Sequence, residues 1–154
     1  MSDFKLTFWN PIFNHEIQVS NTYRESGYDA LELHSVERDA GLCLIFEDNQ
    51  FMYRFHYEQL EEENRFMEIY SVVFTPEHMR NDLIGEALVL LNKRNKKFWP
   101  FFKAEGSTLL QWCRNQMSLH LQADKSVCHH VYFTSDEVIE VIAEKAPEVQ
   151  IDKK

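Results

Sequence analysis

Phe74-Thr-Pro-Glu-His-Met79 divides the chain. Before it, apolar residues recur at every second position; after it, at every third or fourth. Thr75-Pro76-Glu77 has the composition of a helix start: Thr as N-cap, Pro at the first helical position, an acid in the first turn. Met79, Leu83, Ile84, Ala87, Leu88 and Leu91 follow at spacings of three and four. The pattern predicts one helix over 76–95 that buries Met79, Leu83, Ala87 and Leu91. Lys93, Arg94, Lys96 and Lys97 fall at its end, where cations favour the helix dipole.

Upstream, the chain reads as strands. Phe4–Trp9 alternates Phe4, Leu6 and Phe8 on one face until Asn10-Pro11 breaks it. Glu16–Ser20 is a weaker strand, and Ala30–Val36 alternates again. Gly41-Leu-Cys-Leu-Ile-Phe46 is a continuous apolar run, the mark of a strand covered on both faces. Glu47-Asp-Asn-Gln50 has hairpin-turn chemistry. Phe51–Tyr57 then sets Phe51, Tyr53, Phe55 and Tyr57 on one face and Met52, Arg54 and His56 on the other. Gln59–Asn64 is a charged connector, and Arg65–Phe74 is a long β-branched and aromatic strand.

Downstream, Phe98–Phe102 is an aromatic connector. Ser107 is placed to cap a second helix carrying Leu109, Leu110, Cys113, Met117 and Leu121. Val131–Phe133 is a short extended segment. Ser135-Asp-Glu-Val begins a third helix with Val138, Ile139 and Ile142, ended by Pro147, and 152–154 fray. Strands first and helices afterwards predict an α+β domain spanning 1–154: an antiparallel sheet of four to six strands with two or three C-terminal helices on one face.

Composition bounds the function. The 154 residues are 44% apolar and 14% aromatic, with 4 Gly and 4 Pro, which excludes disordered and collagen-like chains. No apolar run approaches the length of a membrane span, and Met1-Ser-Asp-Phe-Lys5 lacks the layout of a signal peptide. A cytoplasmic location is therefore expected. Cys43, Cys113 and Cys128 do not suggest a disulfide framework. The net charge of −9 lies entirely in residues 1–75, which hold 14 acidic and 5 basic side chains, against 11 and 11 in residues 76–154.

Four constellations bear on chemistry. Cys128-His129-His130, with His120 upstream, supplies soft ligand types, but the spacing of a zinc site is missing and consecutive strand residues point apart. No metal or cofactor is expected. No local signature marks a Cys or Ser nucleophile, so no catalytic residue is assigned. Val72–Leu88 resembles the acetyl-CoA-binding segment of the GNAT acetyltransferases: a strand, a Pro, then an Arg-x-x-Gly-x-Gly motif opening a helix. Arg80 and Gly85 match, and Leu83 replaces the first Gly. That resemblance implies an acyltransferase, the alternative reading beside a small hydrolase. The basic block from Lys93 to Lys103, interleaved with Phe98, Trp99, Phe101 and Phe102, has nucleic-acid-site composition; the acidic chain opposes it, and no nucleic acid is expected.

The fourth constellation is the acids around two connectors: Glu47 and Asp48, then Glu58, Glu61, Glu62 and Glu63, with Tyr57 beside them as an aromatic anchor. Acids at both ends of one strand suit a docking surface for a basic protein. The size, acidity and irregular α+β layout resemble the bacterial immunity proteins, which implies neutralisation of a basic toxin domain by occlusion. Binding is expected in preference to catalysis, with neither membrane nor nucleic acid as partner.

Overall fold

The central hairpin forms as its alternation requires. The computed structural model describes residues 4–17, 31–38, 41–58, 69–96, 98–116 and 127–154. In it, β3 (Gly41–Glu47) and β4 (Phe51–Glu58) run antiparallel, with Leu42 opposite Tyr57, Leu44 opposite Phe55 and Phe46 opposite Tyr53. These six side chains share one face and are at most 3% exposed. β2 (Glu32–Glu37) adds beside β3 and β9 (Glu148–Lys153) beside β4, giving the order β2-β3-β4-β9.

A second antiparallel sheet takes β1 (Lys5–Phe8), β6 (Phe101–Glu105), β7 (Cys128–Phe133), β8 (Glu137–Ala143) and β5 (Ile69–Pro76), in the order β1-β6-β7-β8-β5. The main core joins the sheets: Leu44, Phe46, Tyr53 and Phe55 pack with Phe101, Tyr132, Ile139 and Val141. On the other side of the five-stranded sheet, α1 (Asn81–Lys93) lays Leu83, Ile84 and Ala87 against Leu6, Phe102, Val131 and Val138. α2 (Thr108–Gln116) sets Leu110 and Cys113 against Ile142.

The expected α+β layout is corrected: the described residues form nine strands in two sheets, with two short helices. The largest error is Ser135–Ile142, which is not a helix. Thr134, Ser135 and Asp136 form a hairpin turn: the Thr134 amide donates to the Glu137 carbonyl at 3.0 Å, and Thr134 Oγ1 accepts from the Glu137 amide at 3.0 Å. Val138, Ile139, Val141 and Ile142 are all buried because β8 is covered on both faces. Over so short a run, double coverage gives the apolar density of a helix and hides the alternation. Pro147 precedes a strand, and the supposedly frayed end is paired: Met52 faces Asp152, and the Lys154 amide donates to the Gln50 carbonyl at 2.8 Å.

The first helix is shorter than expected. Thr75 and Pro76 complete β5, paired with Val138 and Glu137, and Glu77–Met79 is a 3-10 turn. Met79 is 65% exposed, whereas Leu83, Ala87 and Leu91 are buried. The helix closes with Asn95 in the left-handed region at φ 52; the Lys96 amide reaches the Leu91 carbonyl and the Asn95 amide the Asn92 carbonyl, a Schellman pairing. Ser107 caps α2, accepting from the Leu110 amide at 3.0 Å, after Gly106 turns the chain out of β6 at φ 64. Of the expected strand 16–20, Glu16 and Ile17 are irregular and the rest lies outside the described residues, as do Met117 and Leu121.

Candidate functional site

Strand alternation turns every second side chain of the four-stranded sheet away from the core. Register then aligns these outward residues across the strands. One row runs Glu32, Glu47, Met52, Asp152; the next Ser35, Ile45, Arg54, Gln150; the third Glu37, Cys43, His56, Glu148. Glu58 follows, opposite Gly41. Six carboxylates thus share one face: Glu32, Glu37, Glu47, Glu58, Glu148 and Asp152. Two cations reach them in the described pairs, Arg54 Nε at 3.9 Å from Asp152 and Lys154 Nζ at 3.2 Å from Glu47. His34 Nδ1 lies 3.7 Å from Glu47. Burial, then Glu37, raise the Cys43 thiol pKa, and Arg54 opposes the shift.

The sequence-predicted site separates on this scaffold. Glu47 and Glu58 stand on the outer face, at opposite ends of β4. Asp48 is buried: its Oδ1 accepts from the amides of Gln50 and Phe51 at 2.8 and 2.7 Å, and its Oδ2 from the Tyr53 hydroxyl. It shapes the turn and offers nothing to a partner. Tyr57 is 2% exposed, so its expected role as a surface anchor is corrected. The alternation that groups it with Tyr53 and Phe55 already assigns it to the core. Glu61, Glu62 and Glu63 lie outside the described residues. Sequence reasoning missed Glu32, Glu37, Glu148 and Asp152. The signal for two of them is plain: Glu148-Val-Gln-Ile-Asp152 alternates strictly, with Val149 and Ile151 packed on the core.

Two further polar networks are buried among the described residues. Tyr57 bonds His130 Nδ1 at 3.0 Å and also the Tyr132 hydroxyl, while Trp9 stacks on the His130 ring at 4.2 Å. His130 Nε2 has no hydrogen-bond partner among the described residues. Burial, then the charges of Lys103 and His129, push the His130 imidazole down to about 3. Burial holds both phenols, Tyr57 and Tyr132, well above their usual range.

The second network is a chain from Ser107 to Arg80. Ser107 Oγ lies 2.7 Å from His129 Nδ1, His129 Nε2 lies 3.0 Å from Glu140 Oε1, and Arg80 Nη1 donates to Glu140 Oε2. Ser, His and a carboxylate are the residue types of a hydrolytic triad. Here Ser107 is 6% exposed and caps α2, and both Glu140 oxygens are occupied. The chain fastens the starts of α1 and α2 to β7 and β8. Burial lowers the Arg80 pKa, but Asp82 and Glu140 outweigh it and hold the guanidinium charged.

Those contacts also define the GNAT-like segment. Arg80 is committed to Glu140 and Asp82, Leu83 is buried in the core, and a Cβ at Gly85 would meet open space. No close approach of backbone requires that glycine. In the basic block, Lys96 sits 4.3 Å over Trp99 and Arg94 5.5 Å over Phe8, so these cations pack on aromatic faces beside α1. Cys128, His129 and His130 do not converge, since His129 and His130 join separate networks.

No helix among the described residues is long and apolar enough to cross a membrane. Comparison with protein-family models, curated proteins and solved structures finds no match in any of the three.

Proposed function

We propose that this protein is a binding module that docks a basic protein partner on the outer face of its four-stranded sheet and neutralises it by occlusion, as an immunity protein does a toxin. The observation that carries this reading is the alignment of six carboxylates on one sheet face, of which Asp152 pairs with Arg54 and Glu47 with Lys154. Glu32 stands directly opposite Glu47, which concentrates acidic side chains at that end of the face. A cationic partner is steered to such a face by its field. The sheet face measures roughly 14 by 23 Å, less than half of a standard interface, so the partner also contacts surfaces beside it. By sequence, Glu61, Glu62 and Glu63 follow Glu58 within five residues.

The test is a paired capture from the source cells with three baits: the natural protein, the triple variant Glu37→Lys, Glu47→Lys, Asp152→Lys, and the control Glu86→Lys on exposed α1. A basic protein retained by the first and third baits and lost from the triple variant is expected. Retention by all three baits, or capture of acidic proteins alone, would sink the reading.

A further inference from the structure

The same sheet face holds a cluster whose chemistry differs from charge alone. His56, Glu58 and Glu148 each offer a ligand atom, and the three atoms lie within 4.8 Å of one another. The backbone sets this juxtaposition: His56 is directly opposite Glu148 in the β4–β9 ladder, and Glu58 is two residues on, on the same face. All three line a hollow of about 190 Å³ that Lys145 also borders. His56 and Glu58 are half-buried and Glu148 is exposed, which leaves one side open.

We propose that His56, Glu58 and Glu148 bind one Zn²⁺ ion. An imidazole with two carboxylates suits zinc, and three protein ligands leave a position for water or a further donor. Zinc bonds of about 2.0–2.2 Å hold tetrahedral ligands roughly 3.3 Å apart. Rotation of the two glutamate side chains closes the remaining gap while the ladder holds the main chain. The spacing rules that find zinc sites in sequences depend on ligands close along the chain. Here Glu148 joins His56 only through strand pairing, so those rules pass over it. The inference does not rest on protein docking, because its probe is the metal ion alone.

The experiment is calorimetric titration of the full, chelator-treated and dialysed protein with zinc chloride, repeated on His56→Ala, Glu148→Gln, Cys43→Ser and Lys145→Gln. The natural protein is expected to bind one equivalent with micromolar affinity and to melt at a higher temperature with zinc present. His56→Ala and Glu148→Gln should each weaken binding at least tenfold, with circular dichroism and zinc-free melting unchanged. Cys43→Ser, opposite His56 on the β3 side, should bind normally, and Lys145→Gln, which removes a competing cation, should bind more tightly. Absence of binding at millimolar zinc would overturn the proposal. So would zinc held equally well by His56→Ala and Glu148→Gln, or a loss confined to Cys43→Ser.

Discussion

His130 and Glu140 are buried polar residues with opposite settlements. His130 is held neutral, its imidazole pushed down to about 3 by burial, then by Lys103 and His129. Unfolded, an ordinary histidine takes a proton near pH 6.5. Below that pH the unfolded chain binds a proton that the folded protein refuses, so stability is full above pH 6.5 and falls as the solution is acidified toward 3. The loss is about 1.4 kcal/mol per pH unit. His130→Phe keeps a ring against Trp9, leaves the Tyr57 hydroxyl its Tyr132 partner and abolishes the titration. Urea unfolding between pH 6.5 and 5 is expected to slope for the natural protein and be flatter for the variant; equal slopes would place the sensitivity elsewhere. Glu140, by contrast, has both oxygens bonded, to His129 and to Arg80. Glu140→Ala leaves His129 Nε2 without its partner and Arg80 with Asp82 alone, and is expected to cost about 1–3 kcal/mol in the same measurement.

At the scale of elements, helix α1 separates what was legible from what was not. Leu83 is 0% exposed and Met79 65%, although one apolar stripe contains both. Leu83→Asp should cost roughly 3 kcal/mol or more, and Met79→Asp within about 0.5, by denaturant unfolding. Comparable losses would restore the single helix over 76–95. Deleting 148–154 should lower stability by at least about 3 kcal/mol, because Val149 and Ile151 pack on the core and β9 completes the sheet. A frayed terminus would cost nothing. The hairpin of β3 and β4, the buried stripe of α1 and the Ser107 cap were readable because alternation, a 3.6 period and capping chemistry are local. β8 was not, because its meaning depends on the layers covering it. Of the acidic face, the sequence held the residue types, but only register brings Glu37, Glu148 and Asp152 beside Glu47 and Glu58.

For the whole molecule, the feature that bears on function is the acidic outer side of β2-β3-β4-β9, where the described strands align six carboxylates. Its charges are partly exposed, each pair worth at most about 1 kcal/mol, so the triple reversal at Glu37, Glu47 and Asp152, which breaks the Arg54 and Lys154 pairs, should lower the melting temperature only modestly. Its effect belongs to association. The decisive measurement is the association rate of the captured basic partner at low and high salt, with the natural protein and with that triple variant. A rate that is fast at low salt, falls steeply with salt, and drops at least tenfold with a flattened salt slope in the variant is the predicted result. The same rate and the same salt slope for both proteins would contradict docking on this face.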